Sequence, residues 1–430
     1  MLKRFLLLLL INVAIFCAAA ELLALGIFYF QHGWLFYLDP YRPTLEEIQD
    51  APNQGLTAVG LHPYFGPTHR PGIPFDLPAE LRAADRGPAV ATNNFGFASR
   101  YDYPFARTND RQFIIGIFGG SVGAFFCRVG SSRFEDDLRQ SALFKNKELV
   151  TLCFSHEGYK QPQQLLVLSY FLSIGQPFDL VVNIDGFNEA ALGRINDQYG
   201  WDISMPSHEH LDPLINLVNQ ATLTSAKLDS LYRITHDRQR LNDIAAWNNR
   251  TWFASVDFVL GHYYAFLRSR YEQERVNFER LPSNPPANSA IHVTPKVKAR
   301  NGPAVFEDIA ANWSSSSILM GQLLASRGIR YIHVLQPNQY YTTRAFSEDE
   351  KKVALNDGSP FKPGAQQGYP FLEKALEPGA LNALHIFDNE RAPVYIDDCC
   401  HYTLAGNRLL ADFIARAVVN APAPRTLPNH

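Results

Sequence analysis

Hydrophobic and polar positions divide this chain into stretches of different texture. Residues 5–30 are almost wholly apolar, broken only by Asn12, Glu21 and small residues, and a helix of that length spans the hydrocarbon core of a bilayer. Residues 31–105 show few long periodic runs. Pro40, Pro43, Pro52, Pro63, Pro67, Pro71, Pro74 and Pro78 exclude long helices there, because proline removes a backbone donor and crowds the preceding turn. This stretch predicts a neck packed along the surface of a core. Residues 112–118 are a short apolar run rich in β-branched and aromatic side chains, ended by Gly119 and Gly120, as in a buried strand entering a tight turn. Similar runs predict strands over 148–154, 178–184 and 329–335. Helices are predicted over 161–174, with Pro162 near its start, over 315–327, and over 403–419 with Thr403 as N-cap. Strands alternating with helices define an α/β fold, a parallel sheet covered on both faces.

A long interruption, roughly residues 200–310, separates the third and fourth strands. Residues 211–280 are mostly helix-compatible. Phe253, Phe258, Tyr263, Tyr264, Phe266 and Tyr271 read as the packing face of a helical insertion; the alternative is a lid or a carbohydrate-stacking surface. Residues 281–303 are rich in Pro, Asn and Ser and predict a loop. The domain plan is an anchor with its cytoplasmic tip over 1–34, a neck over 35–105, a core in two parts over 106–200 and 311–420, a mainly helical insertion over 201–310, and a disordered tail over 421–430.

Lys3 and Arg4 precede the apolar run, and the positive-inside tendency then puts the N-terminus in the cytoplasm and the rest outside, periplasmic or extracellular. Ala18-Ala19-Ala20 offers a rival reading as a cleaved signal peptide, but the run continues through residues 22–30. Phe16 before Cys17 is too large for a usual lipoprotein site. Glu21 is costly at that depth and such groups often face another helix or a polar cavity; a protonated or snorkelling side chain without a role is the simpler reading.

Composition narrows the class further. Hydrophobic residues make up 46% and charged residues 19%, a globular rather than a disordered profile. The net charge of -3, with no Lys/Arg run, excludes nucleic acid as a partner. None of the five cysteines has zinc-site spacing. Adjacent Cys399 and Cys400 rarely bond each other. A bridge from Cys400 or Cys399 to Cys127 is therefore one reading and free buried thiols the other.

Ligands of an open parallel sheet bind at the carboxyl ends of its strands, and four polar clusters fall there or just before the last helix. They are Gly119-Gly120-Ser121-Val122-Gly123, His156-Glu157-Gly158-Tyr159, Asp185-Gly186-Phe187-Asn188-Glu189 and Asp397-Asp398-Cys399-Cys400-His401. A serine nucleophile needs a base within hydrogen-bond reach, an orienter for that base, and donors for the developing oxyanion. Ser121 is the candidate nucleophile and His401 the base. Asp398 is the expected orienter, with Asp397 its rival. The amides of Ser121 and Gly158 and the side chain of Asn188 are the expected oxyanion hole. Asp185 and Glu189 read as loop-stabilising groups, with substrate contact the alternative. Asn338 and Tyr340 are candidate pocket residues, or loop packing.

The ordered set Ser121, Gly158, Asn188 and His401 resembles the sequence blocks of the SGNH (GDSL-like) hydrolase superfamily. Asp398-Cys399-Cys400-His401 matches its D-x-x-H block, and His401-Tyr402-Thr403-Leu404-Ala405-Gly406-Asn407 the entry to its last helix. Asn94-Phe95-Gly96-Phe97 and Leu335-Gln336-Pro337-Asn338 resemble members tethered outside the membrane. The resemblance covers residues 106–200 and 310–420. Gly120 replaces a frequent Asp and Glu189 another, and neither is the nucleophile or the base. The resemblance implies a three-layer flavodoxin-like fold and an acyl-Ser121 intermediate, with no metal or organic cofactor. It also implies ester-linked acyl groups as substrate, acetyl on a glycan foremost. Water makes the protein an esterase; a sugar acceptor makes it a polysaccharide O-acetyltransferase. A separate reading has Glu21 in the anchor recruiting a membrane acyl-donor partner. A non-catalytic tethered assembly subunit is the rival class.

Overall fold

A computed structural model describes residues 2–38, 44–45, 48, 59–75, 77–78, 81, 91–218, 224–282 and 297–420. The chain begins with helix α1 (Leu2–His32), followed by an antiparallel hairpin of β1 (Val59–His62) and β2 (Gly66–His69). β3 (Gln112–Gly119) turns into α2 (Ser121–Phe125), a π-helical turn at Phe126–Gly130 and α3 (Ser131–Arg139). Next come β4 (Glu148–Cys153), α4 (Gln163–Ser173), β5 (Leu180–Asp185), α5 (Phe187–Gln198) and α6 (His208–Val218). Two long helices follow, α7 (Ser225–Asn248) and α8 (Ala254–Arg280). The chain closes with α9 (Ala304–Ala325), β6 (Arg330–Leu335), α10 (Glu348–Ala354), α11 (Lys362–Lys374), β7 (Leu381–Asn382) and α12 (Leu404–Asn420). These elements form two compact units, one of Met1–Gln54 with Val218–Ile291, the other of Gly55–Leu217 with His292–His430.

In the second unit five parallel strands pair in the order β4-β3-β5-β6-β7. Successive residues of β3 serve different cores. Ile115 and Ile117 join Phe126, Phe134 and Ile414 on one face, while Ile114 and Phe118 join Val167 and Phe171 on the other. Burial on both faces is why these strands read as unbroken apolar runs and not as alternation. Numbered within the sheet, the order is 2-1-3-4-5. The sheet grows in opposite directions from β3, so the loops leaving β3 and β5 diverge and open a crevice at their carboxyl ends.

The expected α/β class, parallel sheet and apolar N-terminal helix are present. Thr403 caps α12, its Oγ1 accepting from the amide of Gly406 at 3.3 Å. The helix expected over 315–327 begins earlier, at Ala304. β7 pairs through two residues, too few to leave a periodic signal. Within the neck, Phe97 and Tyr103 are buried in a sheet-face core, and the Tyr103 hydroxyl donates to the carbonyl of Cys153 at 2.7 Å. Pro40, Pro43 and Pro52, most of the predicted loop (283–296) and the tail lie outside the described residues.

The first unit contains an antiparallel α7–α8 pair. Arg270 bonds Asp237, Arg233 bonds Glu274 at 3.0 Å, and Leu241 and Ala245 pack with Tyr264, Leu267 and Tyr271. Helix α1 lies along another face of α8, where Ala24 and Phe28 pack with Ala254 and Phe258. The six aromatic residues of the insertion therefore do not share one packing face. Tyr264 and Tyr271 are buried against α7 and Phe258 leans on α1, but Phe253, Tyr263 and Phe266 are exposed. Glu21 accepts from the amides of Ala254 and Ser255 at 2.7 and 3.0 Å, from the Ser255 hydroxyl at 2.6 Å and from Tyr37 at 2.6 Å. It faces another helix, and the reading without a role is corrected.

Candidate active site

The turn that delivers Ser121 exists because its neighbours lack side chains. Gly119 has φ +144°, and a Cβ there would sit 2.2 Å from the carbonyl oxygen of Ile184. A Cβ on Gly120 would sit 2.2 Å from Nδ2 of Asn188. The glycines let β3 pass against β5 and let the Asn188 amide come down beside Ser121, which becomes the first residue of α2.

His401 approaches from the loop before α12. Its Nε2 lies 2.7 Å from Ser121 Oγ, and its Nδ1 is hydrogen-bonded to Oδ2 of Asp397. The other oxygen of Asp397 accepts the amides of Cys399, Cys400 and His401 at 3.0, 3.0 and 3.2 Å. Burial raises the Asp397 pKa, but the bonds and charge of His401 and the Cys399 amide outweigh it and hold the carboxyl below its ordinary value. A hydroxyl on an imidazole whose other nitrogen is held by a carboxylate is the arrangement that activates serine as a nucleophile.

The expected orienter is corrected. Asp398 Oδ2 accepts from Nδ2 of Asn356 at 2.7 Å, and it is Asp397 that meets the ring. The cause is local: an aspartate that accepts the amides of the following residues curls the chain into a tight turn, which brings the ring four residues on back over the same carboxylate.

Asn338 and Tyr340 are loop supports, not pocket residues. Asn338 is fully buried and donates from Nδ2 to the carbonyl of Cys399 at 3.0 Å. The Tyr340 hydroxyl donates to the carbonyl of Asp398 at 2.8 Å. Gln339 Nε2 donates to the carbonyl of Asp397 at 3.0 Å, so three consecutive side chains after β6 hold the His401 loop. Asp185 is likewise removed from substrate contact. It is 2% exposed and accepts from Trp313, His333 and Asn183 at 2.7, 2.7 and 2.6 Å. Glu189 accepts from the amides of Gln161 and Gly186, both at 2.8 Å. Burial first, then the charge of Asp185, raises its pKa.

Asn188 donates from Nδ2 to the carbonyl of Tyr159 at 2.8 Å, leaving its second amide hydrogen for another acceptor. Gly158 precedes Tyr159 in a turn with φ +73°, closed by a Tyr159 amide to His156 carbonyl bond of 3.2 Å. Neither the Ser121 nor the Gly158 amide donates to an acceptor among the described residues. The expected oxyanion donors thus follow three neighbouring strands: Ser121 opens α2 after β3, Gly158 lies in the turn after β4, and Asn188 sits in the first turn of α5 after β5.

The bridge read from Cys400 or Cys399 to Cys127 is corrected: Cys127 joins Cys153, with Cα atoms 5.9 Å apart. The helical segment after Ser121 returns over the end of β4, which brings these two together. Cys399 and Cys400 are free, with sulfurs 3.1 Å apart. Among the described residues, two groups of side chains have ligand atoms close enough for a metal ion: Cys399, Cys400 and His401, and His69, His156 and Glu157. In the first, His401 is already engaged by Ser121 and Asp397. In the second, His69 Nε2 is 2.9 Å from Glu157 Oε2.

Behind the sheet lies a buried network that the local pattern of the sequence does not reveal. His333 joins Asp185 through Nε2 and Glu377 through Nδ1, each at 2.7 Å. Burial lowers the pKa of His333, but the two carboxylates prevail and push it up to about 10. A histidine inside an apolar strand was its one visible signal; the partners are 148 and 44 residues away.

Compared with models of known protein families the chain matches none, and no curated protein shows significant similarity to it.

Proposed function

We propose that this chain is a serine esterase of the SGNH kind, tethered to a membrane by α1 with its α/β unit outside. The observation that carries the reading is Ser121 Oγ at 2.7 Å from His401 Nε2, with Asp397 on the far side of the ring. The order Ser121, Gly158, Asn188, His401 adds the family resemblance. α1 is the one helix among the described residues long and apolar enough to cross a membrane. Lys3 and Arg4 set its direction, and the Cys127–Cys153 bond fits an oxidising compartment.

In this reading His401 takes the proton of Ser121 as the oxygen attacks an ester carbonyl. Asp397 stabilises the resulting imidazolium. The oxyanion is held by the amides of Ser121 and Gly158 and the side chain of Asn188. His401 then protonates the leaving alcohol, acyl-Ser121 remains, and water activated by His401 releases the acid. Acetyl groups on a glycan are the proposed substrate, on the strength of the resemblance.

A fluorophosphonate probe on the full chain tests the reading. Labelling of wild type that disappears in Ser121→Ala and falls in His401→Ala supports it. Absence of labelling while a control esterase reacts, or labelling that survives Ser121→Ala, overturns it. Turnover of p-nitrophenyl acetate with and without an oligosaccharide separates hydrolysis from transfer: acetylated oligosaccharide in place of free acetate would replace the esterase reading with an acyltransferase.

A further inference from the structure

Helix α8 packs with two of its faces against two different neighbours and leaves a third exposed. Ala254 and Phe258 meet α1. Tyr264, Leu267 and Tyr271 meet α7. The third face carries Val256, Val259, Tyr263 and Phe266, spaced three, four and three residues apart in one stripe, and all are exposed. At the end of α7 and in the turn before α8, Trp247 is 74% and Trp252 81% exposed.

The position of this turn relative to a bilayer follows from Glu21. A hydrocarbon core about 30 Å thick takes roughly 20 helical residues, which, counted from Phe5, ends near Ala24. Glu21 then lies within the last turn of the outer boundary. Its carboxylate receives the amides of Ala254 and Ser255, unsatisfied donors at the positive end of α8. These bonds set the start of α8 level with Glu21. The two helices run in the same direction, since Phe28 then meets Phe258 one turn further on. Below and beside this contact, a groove of ≈ 690 Å³ is lined by Phe16, Ala20, Phe253, Val256, Val259 and Leu260, among others. On α1 itself Phe16, Leu22 and Leu23 are exposed at the same height, and lipid is what covers them if α1 spans.

We propose that the α7–α8 turn and the first exposed residues of α8, Val256 and Val259, form a second membrane contact, seated in the outer leaflet with phospholipid acyl chains in the groove beside α1, while Tyr263 and Phe266 rise beyond it. Two tryptophans at the turn, with Arg250 between them, match the amphipathic interfacial belt in which an aromatic body is buried and a basic end reaches phosphate. Glu21, costly as a lone charge in hydrocarbon, becomes the group that fastens this element to the anchor.

The inference rests on the anchor reading of α1 and is independent of the esterase reading. It is tested on the full chain reconstituted in phosphatidylcholine vesicles, with Trp247→Phe/Trp252→Phe as the variant; both side chains are exposed, so folding is retained. Bromine on the upper acyl chain should quench a component of the tryptophan emission that the double variant lacks, and aqueous iodide should leave that component intact. Iodide quenching of Trp247 and Trp252 without quenching by brominated lipid overturns the proposal and leaves this face to water or a protein partner. Release of the chain by alkaline carbonate would overturn the anchor reading and this proposal together, while loss of fluorophosphonate labelling alone would touch neither.

Discussion

One carboxylate, Asp397, both holds the Nδ1 side of His401 and folds the loop that carries His401. Oδ2 meets the ring, while Oδ1 gathers the amides of Cys399, Cys400 and His401. Asp397→Asn preserves an acceptor for those amides but presents an amide to Nδ1, which favours the wrong tautomer. Esterase turnover should fall by about 10³–10⁴-fold with thermal stability little changed. Asp398→Asn, remote from the ring, should stay within about twofold of wild type. Equal losses in kcat for the two variants would contradict the assignment of Asp397.

Gly120 and Asn188 act as a pair, since a Cβ at residue 120 would occupy the place of the Asn188 amide. Gly120→Ala should therefore mimic Asn188→Ala, each lowering kcat by about 10²-fold, the usual size for one oxyanion donor. The double variant should be scarcely worse than either single one. Additive losses in a double-mutant cycle would show that the two act separately.

The Cys127–Cys153 bond closes a loop of sequence separation 26. By the chain-entropy relation it contributes about 3.5 kcal/mol to stability. Cys127→Ser should lower the denaturation free energy by that order, and peptide mapping should join Cys127 to Cys153. Under denaturing, non-reducing conditions Cys17, Cys399 and Cys400 should take alkylating reagent. A mapped Cys127–Cys400 peptide would restore the pairing expected from sequence.

His333 has a folded pKa of about 10 against an ordinary 6.5. Its protonated form is favoured by folding, so its contribution to stability is complete below pH 6.5 and is lost as pH rises through about 10. Denaturation midpoints should decline across that window. His333→Gln should remove most of this slope and, by leaving Asp185 and Glu377 without their cation, destabilise the protein by about 3 kcal/mol or more at neutral pH. An unchanged slope in the variant would assign the pH dependence to other groups.

Local pattern decides a good deal of this molecule. Apolar runs marked β3, β4, β5 and β6, the first of them ended by Gly119 and Gly120, because strand burial and the turn after it are short-range demands on residue type. The same runs located Ser121 at the carboxyl end of β3. Thr403 was visible as a cap for a similar reason. Only the tertiary structure decided whether Asp397 or Asp398 meets His401, because adjacent aspartates differ in where the loop curls and not in chemistry. Cys127 met Cys153 and not Cys400 because of how the chain returns over β4. For Asp185, Asn338 and Tyr340 local pattern leaves pocket contact and loop support both open, and they become supports once Trp313, His333 and the His401 loop are placed beside them. Glu21 is anomalous in a hydrophobic run until Ala254 and Ser255 arrive from 233 and 234 residues away. Hydrogen bonds between groups so distant along the chain leave no periodicity in it, so folding alone determines them.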